Sequence, residues 1–244
     1  MSDARYAIYF VPPADGALYR LGSSLLGYDC YRGADVAFPL GMPDDWTALT
    51  AAPRRYGFHG TLMAPFRLGP GRDETGLLRT VARFADAARD VAVIEPVVRA
   101  LGRFIAIVPR ERNAVLDRLA ADCIAGFDDF RAPLSAGDRA RRETGLSARE
   151  RSNLERWGYP YVFEEFRFHM TLTGPLGDDR RPAIGDLLSG LFVRTCGSDP
   201  LQIDRIALLR QDDEAQRFRV VHEAMLRTKH DPEKCVAVFG KDHA

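Results

Sequence analysis

The stretch RRYGFHGTL, residues 54–62, returns in altered form as FRFHMTL at residues 166–172. Both stretches belong to a longer pattern, Phe-His-x-Thr-Leu-x-x-Pro, that is shared by residues 58–65 and 168–175. The two histidines, His59 and His169, are 110 positions apart. One short motif of this kind has a high false-positive rate, so its repetition within a single chain is the informative feature.

Each block has the alternation of a β-strand, in which successive side chains point to opposite faces. In the second block, the even-numbered residues from 166 to 172 are apolar and the odd-numbered residues from 167 to 173 are polar. The first block is less regular because Gly60 and Met63 interrupt its alternation. We therefore predict strands over about 55–63 and 166–173, with each histidine and the following threonine on the face turned away from the apolar layer.

The segments that follow the first block predict a helix and two strands. Residues 74–90 have the apolar spacing of an amphipathic helix. Strands are predicted over about 91–99 and 103–108, joined by a tight turn at Gly102. We expect these elements to form one lobe around the strand that carries His59.

The same order of elements follows the second block. A helix is predicted over about 183–193, followed by strands at 201–209 and within 217–222, with a polar turn at 212–214. This weak internal duplication predicts an α+β fold of two pseudo-symmetric lobes around a central cleft, within one bilobal domain spanning 1–244. Each lobe would have an antiparallel sheet with helices on its outer face.

Residues 135–157 form a polar insertion between the predicted lobes. Ser147 and Glu150 have the spacing of a capping box, and Gly158 is a typical helix stop. Two interpretations stay open for this segment: a solvated helical hairpin, which is the usual role of charged helical faces, and a lid over a bound substrate.

The paired histidines and threonines point to chemistry on a phosphate ester. An imidazole with a pKa near about 6.5 is able to donate or accept a proton at physiological pH. Two imidazoles that flank a phosphodiester would serve as general base and general acid, with His59 and His169 in either assignment. The hydroxyls of Thr61 and Thr171 would bind phosphate oxygens. This scheme uses no metal and no cofactor.

The two blocks resemble the paired His-x-Thr signatures of the two-histidine phosphoesterase superfamily. The stretches RYAIYF, RRYGFHGTLMAPF and GYPYVFEEFRFHMTLTGPL together are similar to a bacterial family associated with phosphonate metabolism. The superfamily resemblance implies a bilobal fold with both motifs facing a cleft, and metal-independent hydrolysis of a cyclic or linear phosphodiester. The phosphonate resemblance implies a small phosphorylated ribose, such as a cyclic phosphate, as the substrate.

Two other functions compete with this hydrolase. The same motifs would suit an enzyme that processes 2′,3′-cyclic phosphates at RNA ends. A non-catalytic module that binds a phosphorylated metabolite is the third possibility. Salt-sensitive preference for oligonucleotides would favour the RNA enzyme, and tight binding without turnover would favour the module.

Three further residues are candidates for substrate binding. Tyr9 lies on the face of its predicted strand opposite Tyr6, so it would either contact the substrate or pack half-buried. Arg55 and Arg167 have the strand parity of their neighbouring histidines, and a guanidinium suits phosphate. Each arginine has the alternative of a solvated or ion-paired strand end. We expect Tyr56 to belong to the core.

The composition sets limits on location and partners. The 244 residues carry 34 basic and 34 acidic side chains, and this zero net charge disfavours long nucleic acid as a partner. No apolar run reaches the length of a membrane span, and the N-terminus does not resemble a secretion signal. Four cysteines without a CxxC pair predict reduced thiols rather than a zinc site. We expect a cytoplasmic monomer with a small phosphorylated substrate.

The sequence contains no P-loop, no GxSxG elbow and no dinucleotide-binding fingerprint.

Overall fold

The computed structural model describes residues 4–229, with the main chain alone for Arg141, and shows an α+β fold dominated by one antiparallel sheet. The large sheet has seven strands in the order β11-β10-β1-β4-β8-β7-β6. Two ribbons, β2-β3 and β5-β9, accompany it. The strands are β1 (Arg5–Phe10), β2 (Tyr28–Asp29), β3 (Ala34–Asp35), β4 (Gly60–Arg67), β5 (Ala92–Ile94), β6 (Pro96–Leu101), β7 (Phe104–Pro109), β8 (Met170–Thr171), β9 (Leu201–Ile203), β10 (Arg205–Gln211) and β11 (Arg219–Met225).

Helices pack against this sheet. They are α1 (Ala17–Leu26), α2 (Trp46–Leu49), α3 (Ala51–Arg54), α4 (Glu74–Asp86), α5 (Ala114–Phe127), α6 (Ala136–Arg142), α7 (Ala148–Trp157) and α8 (Arg181–Cys196). Helix α4 contacts β10 and β11, α5 contacts β4, and α8 contacts β6 and β7. The core lies between these helices and the sheet, and apolar side chains such as Phe10, Leu62 and Met170 are fully or almost fully buried in it.

The strands do not group around the two motifs as predicted. The hairpin β6-β7 follows the first motif in sequence but pairs with β8, the strand of the second motif. The hairpin β10-β11 follows the second motif but joins β1, which pairs with β4. Both motif strands are neighbours at the centre of the sheet. The assignment of strands 91–108 to the first motif and of strands 201–222 to the second is therefore corrected, because sequence order does not determine which distant strand completes a ladder.

The first motif strand is shifted relative to the prediction, since β4 spans Gly60–Arg67 rather than about 55–63 and includes Pro65. The second is shorter than the predicted 166–173, with Met170–Thr171 forming β8. A register shift lets two residues of β4, Ala64 and Pro65, face the single residue Ala7 of β1. On its other side, β4 pairs with β8 only at Gly60. Proline is tolerated at bulges and at unpaired strand edges because it has no N–H to contribute to a ladder, so both conditions accommodate Pro65.

The insertion forms two helices, α6 and α7. The capping box predicted at the start of α7 is present, since the Ser147 hydroxyl accepts from the N–H of Glu150 and the Glu150 carboxylate accepts from the N–H of Ser147. Gly158 ends the helix with φ of 71°, in the left-handed region. The hairpin is not wholly solvated, because Leu146 and Leu154 are buried and Asp138 is bound to Arg67 at 3.1 Å.

Three other sequence expectations concern cysteine, histidine and membranes. Cys30, Cys123 and Cys196 are unpaired thiols, and Cys235 lies outside the described residues. His222 is a half-buried residue of β11, and His230 and His243 lie outside the described range. Between residues 4 and 229 there is no helix with the length and apolar character that a bilayer crossing requires. The expected monomer and cytoplasmic location stay predictions.

Candidate functional site

The two motifs meet across the centre of the sheet. Gly60 of β4 is paired with Met170 of β8 in antiparallel register. One residue to either side, the same register places His59 opposite Thr171 and Thr61 opposite His169. Directly opposed residues have Cβ atoms about 4.5–5.5 Å apart, and diagonal ones about 7–8 Å. The four side chains therefore form a square, which we call the His–Thr square, in which the histidines occupy one diagonal.

His59 is held by its own main chain and by the first motif's threonine. Its Nδ1 lies 2.9 Å from the carbonyl oxygen of Gly57, and its Nε2 lies 3.3 Å from the hydroxyl of Thr61. Because a carbonyl only accepts, Nδ1 carries the proton and Nε2 of the neutral ring accepts from Thr61. Burial lowers the pKa of His59 to about 4, against the opposing effect of the Gly57 carbonyl, and the nearby charge of His169 lowers it further.

His169 is anchored in the same manner. Its Nδ1 lies 2.8 Å from the carbonyl oxygen of Arg167, again two residues earlier, so its Nε2 is also the nitrogen left for a ligand. Burial lowers the pKa of His169, and the Arg167 carbonyl opposes this shift. The ring of Phe104 is 5.6 Å away in a tilted arrangement. The two motifs thus present two Nε2 atoms from matching backbone anchors.

Tyr9 lies beside the first histidine. Its ring is stacked on that of His59, with centroids 3.7 Å apart and planes 17° apart. It belongs to β1, where it is paired with Thr61, and it is almost completely buried. Burial raises the pKa of the Tyr9 hydroxyl. The structure therefore brings Tyr9 together with the His–Thr square, and its first role there is to hold the His59 ring in place.

An open groove of about 430 Å³ lies over the square. Both histidines, Thr61, Thr171 and Tyr9 line it. Two further cavities adjoin it through shared lining residues. One, of about 340 Å³, is rich in arginine, and the other, of about 500 Å³, is mainly apolar and opens beside His169. The groove has room for a small phosphate ester.

The two arginines predicted to bind substrate do not reach this groove. The Arg55 guanidinium donates to the carbonyl oxygen of Glu214 at 2.7 Å and is exposed. The Arg167 guanidinium donates to the carbonyl oxygens of Glu164 and Phe166, both at 2.7 Å, and lies on the rim of the apolar cavity. Neither arginine lies on the predicted strand, since Arg55 caps α3 and Arg167 precedes β8, and main-chain carbonyls hold both side chains away from the groove.

The residues outside the predicted set that line the groove include two arginines and two tyrosines: Arg5, Arg142, Tyr56 and Tyr159. Tyr56 is half-buried at the groove rather than a core residue, and its ring lies 6.2 Å from that of His59. Arg142 ends α6 of the insertion and lies over the ring of Tyr159 at 5.7 Å. Arg5 shares its strand face with Tyr9, and that alternation is the one sequence signal that indicates its position.

The described part of the chain offers no group of three His, Cys, Asp or Glu side chains arranged to hold a metal ion. The groove instead combines neutral imidazoles, hydroxyls and guanidinium groups. Such a set suits an anion with several oxygen atoms.

Curated relatives were found for most of the chain. It is 39% identical over 222 residues to "Ribose 1,5-bisphosphate phosphokinase PhnN" of Janthinobacterium sp. (strain Marseille), a match that covers 86% of this chain and 48% of that protein. It is 39% identical over 178 residues to the protein of the same name in Laribacter hongkongensis (strain HLHK9), which covers 71% of this chain and 41% of that protein. The chain therefore spans less than half the length of each curated relative.

These names correct the expected activity. Both relatives are named as a phosphokinase, which is a transferase, and neither as a phosphodiesterase or other hydrolase. The prediction of a metal-independent cyclic phosphodiesterase is therefore wrong, while the expected connection with phosphonate metabolism fits these relatives. Paired His-x-Thr motifs define groups that can bind phosphate and move protons, and those groups do not by themselves specify hydrolysis.

A solved structure and a family model complete the comparisons. The conserved protein of unknown function ATU0111 from Agrobacterium tumefaciens str. C58 aligns with a TM-score of 0.43 and 12% identity, over 91% of this chain and 85% of that one. A similarity this weak carries no information about function. The model described as "Protein of unknown function (DUF1045)" matches residues 61–219, which is most of the chain and includes the second motif and Thr61 of the first. The chain belongs to the DUF1045 family.

Proposed function

We propose that the groove binds a phosphorylated ribose and holds one of its phosphates in the His–Thr square. The observation that carries this proposal is the register of Gly60 with Met170, which sets two histidine–threonine pairs against each other on one sheet face. A diagonal of about 7–8 Å between histidine Cβ atoms leaves room for one tetrahedral anion between two imidazole rings.

The hydrogen-bonding state of the square suits this ligand. Both Nδ1 atoms are committed to main-chain carbonyls, so both Nε2 atoms are available to the groove. A protonated Nε2 would donate to a phosphate oxygen, and a neutral one would accept from a ribose hydroxyl. The threonine hydroxyls would donate to the remaining phosphate oxygens. Because charge-assisted hydrogen bonds are the strong ones, binding of the phosphate would shift both histidines toward the protonated form.

The names of the relatives support ribose phosphate as the ligand class, since those proteins are named for ribose 1,5-bisphosphate. The square also supports membership of the two-histidine superfamily, in which two such motifs face one cleft. In our proposal the two motif strands are related by an approximate two-fold axis through the Gly60–Met170 pair, and each half of the site comes from one motif.

Phosphoryl transfer is a second candidate function, and the relatives' name is the observation that favours it. In that reaction an oxygen of the bound ribose phosphate would attack the γ-phosphorus of a nucleoside triphosphate, and the nucleoside diphosphate would leave. The histidines and threonines of the square would hold the acceptor phosphate. The sequence has no P-loop pattern, so a nucleotide donor would have to be held by other groups. Incubation with Mg-ATP and ribose 1,5-bisphosphate would test this candidate, with ADP formation supporting it and its absence opposing it.

Calorimetric titration with ribose 5-phosphate and with ribose tests the binding proposal. We expect ribose 5-phosphate to bind and ribose to bind at least about tenfold more weakly, because charge-assisted hydrogen bonds contribute about 1.5–3 kcal/mol each. His59→Gln and His169→Gln should each weaken ribose 5-phosphate binding by about tenfold or more. His222→Gln is the matched control, since this histidine lies on β11 and does not line the groove. Equal affinity in all three variants would disprove the site.

A further inference from the structure

We infer that Arg5 and Arg142 form a second anion-binding subsite beside the His–Thr square, so that the groove recognises a ribose carrying two phosphates. This inference rests on the proposed function and extends it from one phosphate to a bisphosphate. Both arginines line the groove and also the adjoining cavity of about 340 Å³. They therefore lie at the junction through which a ligand would extend from the square.

The partners of these arginines differ from those of their neighbours. Two other arginines line the same cavity, and both are ion-paired: Arg67 with Asp138 at 3.1 Å, and Arg131 with Asp128 at 2.8 Å. Within residues 4–229, neither Arg5 nor Arg142 has a carboxylate partner within ion-pair distance. The carboxylate of Asp138 does act on Arg142, but it is bound to Arg67 at 3.1 Å.

The hydrogen bonds of the pair go to neutral groups. Arg5 donates from Nε to the side-chain oxygen of Gln211 at 2.7 Å. Arg142 donates to the carbonyl oxygens of Gly158 at 2.5 Å and Pro65 at 3.5 Å. These bonds fix the direction of each guanidinium without cancelling its charge, and they leave other N–H groups for a ligand. A guanidinium has five donors in a planar fork that matches phosphate geometry.

The two charges also act on each other. Burial lowers the pKa of Arg142; the nearby negative charge of Asp138 opposes this shift, and the positive charge of Arg5 adds to it. Both charges act on the hydroxyl of Tyr9, which places them around the residue stacked on His59. Two like charges close together in a partly buried site disfavour each other, and an anion between them would reverse that cost. A second phosphate has the charge and the oxygen atoms to do so.

Arg142 belongs to the insertion, so the insertion contributes to this subsite. It is the last residue of α6, and its anchor at Gly158 is the residue that ends α7. Both helices of the insertion therefore contribute to its position. The insertion lies outside the duplicated elements, so the second subsite would be an addition to the paired motifs rather than part of their symmetry.

Titration of the full chain with ribose 5-phosphate and with ribose 1,5-bisphosphate tests the inference. We expect the bisphosphate to bind at least about tenfold more tightly. Arg142→Gln and Arg5→Gln should each weaken binding of the bisphosphate more than binding of ribose 5-phosphate, and so remove most of that difference. Arg142→Lys keeps the charge but loses the fork, so it should retain part of the preference.

Arg139→Gln is the matched control, because Arg139 also lies on α6 but is directed toward Glu155 at 3.8 Å. Thermal unfolding of every variant would show whether lost affinity reflects a lost fold, and Arg5→Gln provides an independent test if Arg142→Gln does not fold. If the unsubstituted protein binds both ligands equally, the second subsite is wrong and the His–Thr square stands. If it binds neither, the proposed function itself is wrong.

Discussion

The two His-x-Thr motifs have the same sequence pattern but different surroundings. The first lies at the start of β4, an eight-residue strand, while the second lies on β8, which has two residues. His59 is stacked on Tyr9 and bonded to Thr61, whereas His169 lies beside the tilted ring of Phe104. Both rings keep the same Nδ1 anchor two residues earlier in the chain. The backbone anchor is thus the repeated feature, and the packing around each ring is not.

This difference separates the roles that the two histidines are able to take. The enclosed His59 has its pKa lowered to about 4, so it is neutral at pH 7 in the free protein. His169 is also biased toward the neutral form, but it lacks the stacked partner. The stacked ring of Tyr9 and the hydroxyl of Thr61 therefore fix the His59 ring, whereas the ring of His169 is held by its main-chain anchor beside Phe104.

A substitution at Gly60 should have the largest effect on stability. Gly60 and Met170 occupy the one position at which the cores of the two motifs differ. A Cβ on Gly60 would lie 2.3 Å from Cζ of Phe168, a buried ring of the other motif. Gly60→Met, which makes residues 58–62 identical to residues 168–172, should reduce the free energy of unfolding by about 3 kcal/mol or more, since overpacking is added to a close backbone approach. Urea denaturation would measure this loss.

Gly137→Ala is the control for this substitution. Gly137 lies in α6, and its nearest neighbour to an added Cβ is the Ser135 hydroxyl at 4.0 Å. Alanine favours helix over glycine by about 0.8–1 kcal/mol, so this variant should be as stable as the parent or more so. If Gly60→Met proved equally stable, β4 and β8 could not be packed as closely as the register requires.

Much of the local structure was predictable from sequence. The alternation over 166–173 correctly assigned Phe168 and Met170 to the core and His169 and Thr171 to the open face. The capping box at Ser147 was also predictable from the sequence, because both of its hydrogen bonds join residues three positions apart. Such features depend on neighbours along the chain, and alternation or spacing records them directly.

The parts that were missed depend on distant neighbours. The pairing of β7 with β8 joins Ala106 to Thr171, and no pattern within either segment specifies it. Arg142 lines the groove from the polar insertion, and its position was not predicted because one half-buried arginine does not alter a polar helical pattern. Arg167 shows the opposite failure. It precedes β8 rather than lying on it, and two main-chain carbonyls outside any pattern hold its guanidinium.

The pH dependence of stability provides a test of intermediate size. Unfolded histidine takes up a proton below about pH 6.5, while folded His59 stays neutral until about pH 4. Its contribution to stability is therefore complete above the unfolded pKa and is lost as the pH falls through the folded one. Between pH 7.5 and 4, the parent should lose on the order of 2–3 kcal/mol more than His59→Gln.

Urea denaturation at several pH values would measure this difference, since the contributions of the carboxylates cancel between parent and variant. His169→Gln serves as the comparison and should remove a smaller part of the pH dependence, because its ring has no stacked tyrosine. Parallel stability curves for the parent and His59→Gln would show that the enclosure of His59 does not bias its protonation.

The smallest expected effect concerns the threonines. The Thr61 hydroxyl donates to Nε2 of neutral His59 at 3.3 Å, whereas no hydrogen bond joins the Thr171 hydroxyl to the His169 ring within the described residues. A neutral hydrogen bond contributes about 0.5–1.5 kcal/mol, so Thr61→Val should raise the pKa of His59 by roughly 0.5–1 unit. Thr171→Val should leave the pKa of His169 unchanged. Imidazole resonances followed by NMR during a pH titration would measure both values. Equal shifts in the two variants would mean that the threonines act alike, and that the asymmetry between the motifs comes from Tyr9 alone.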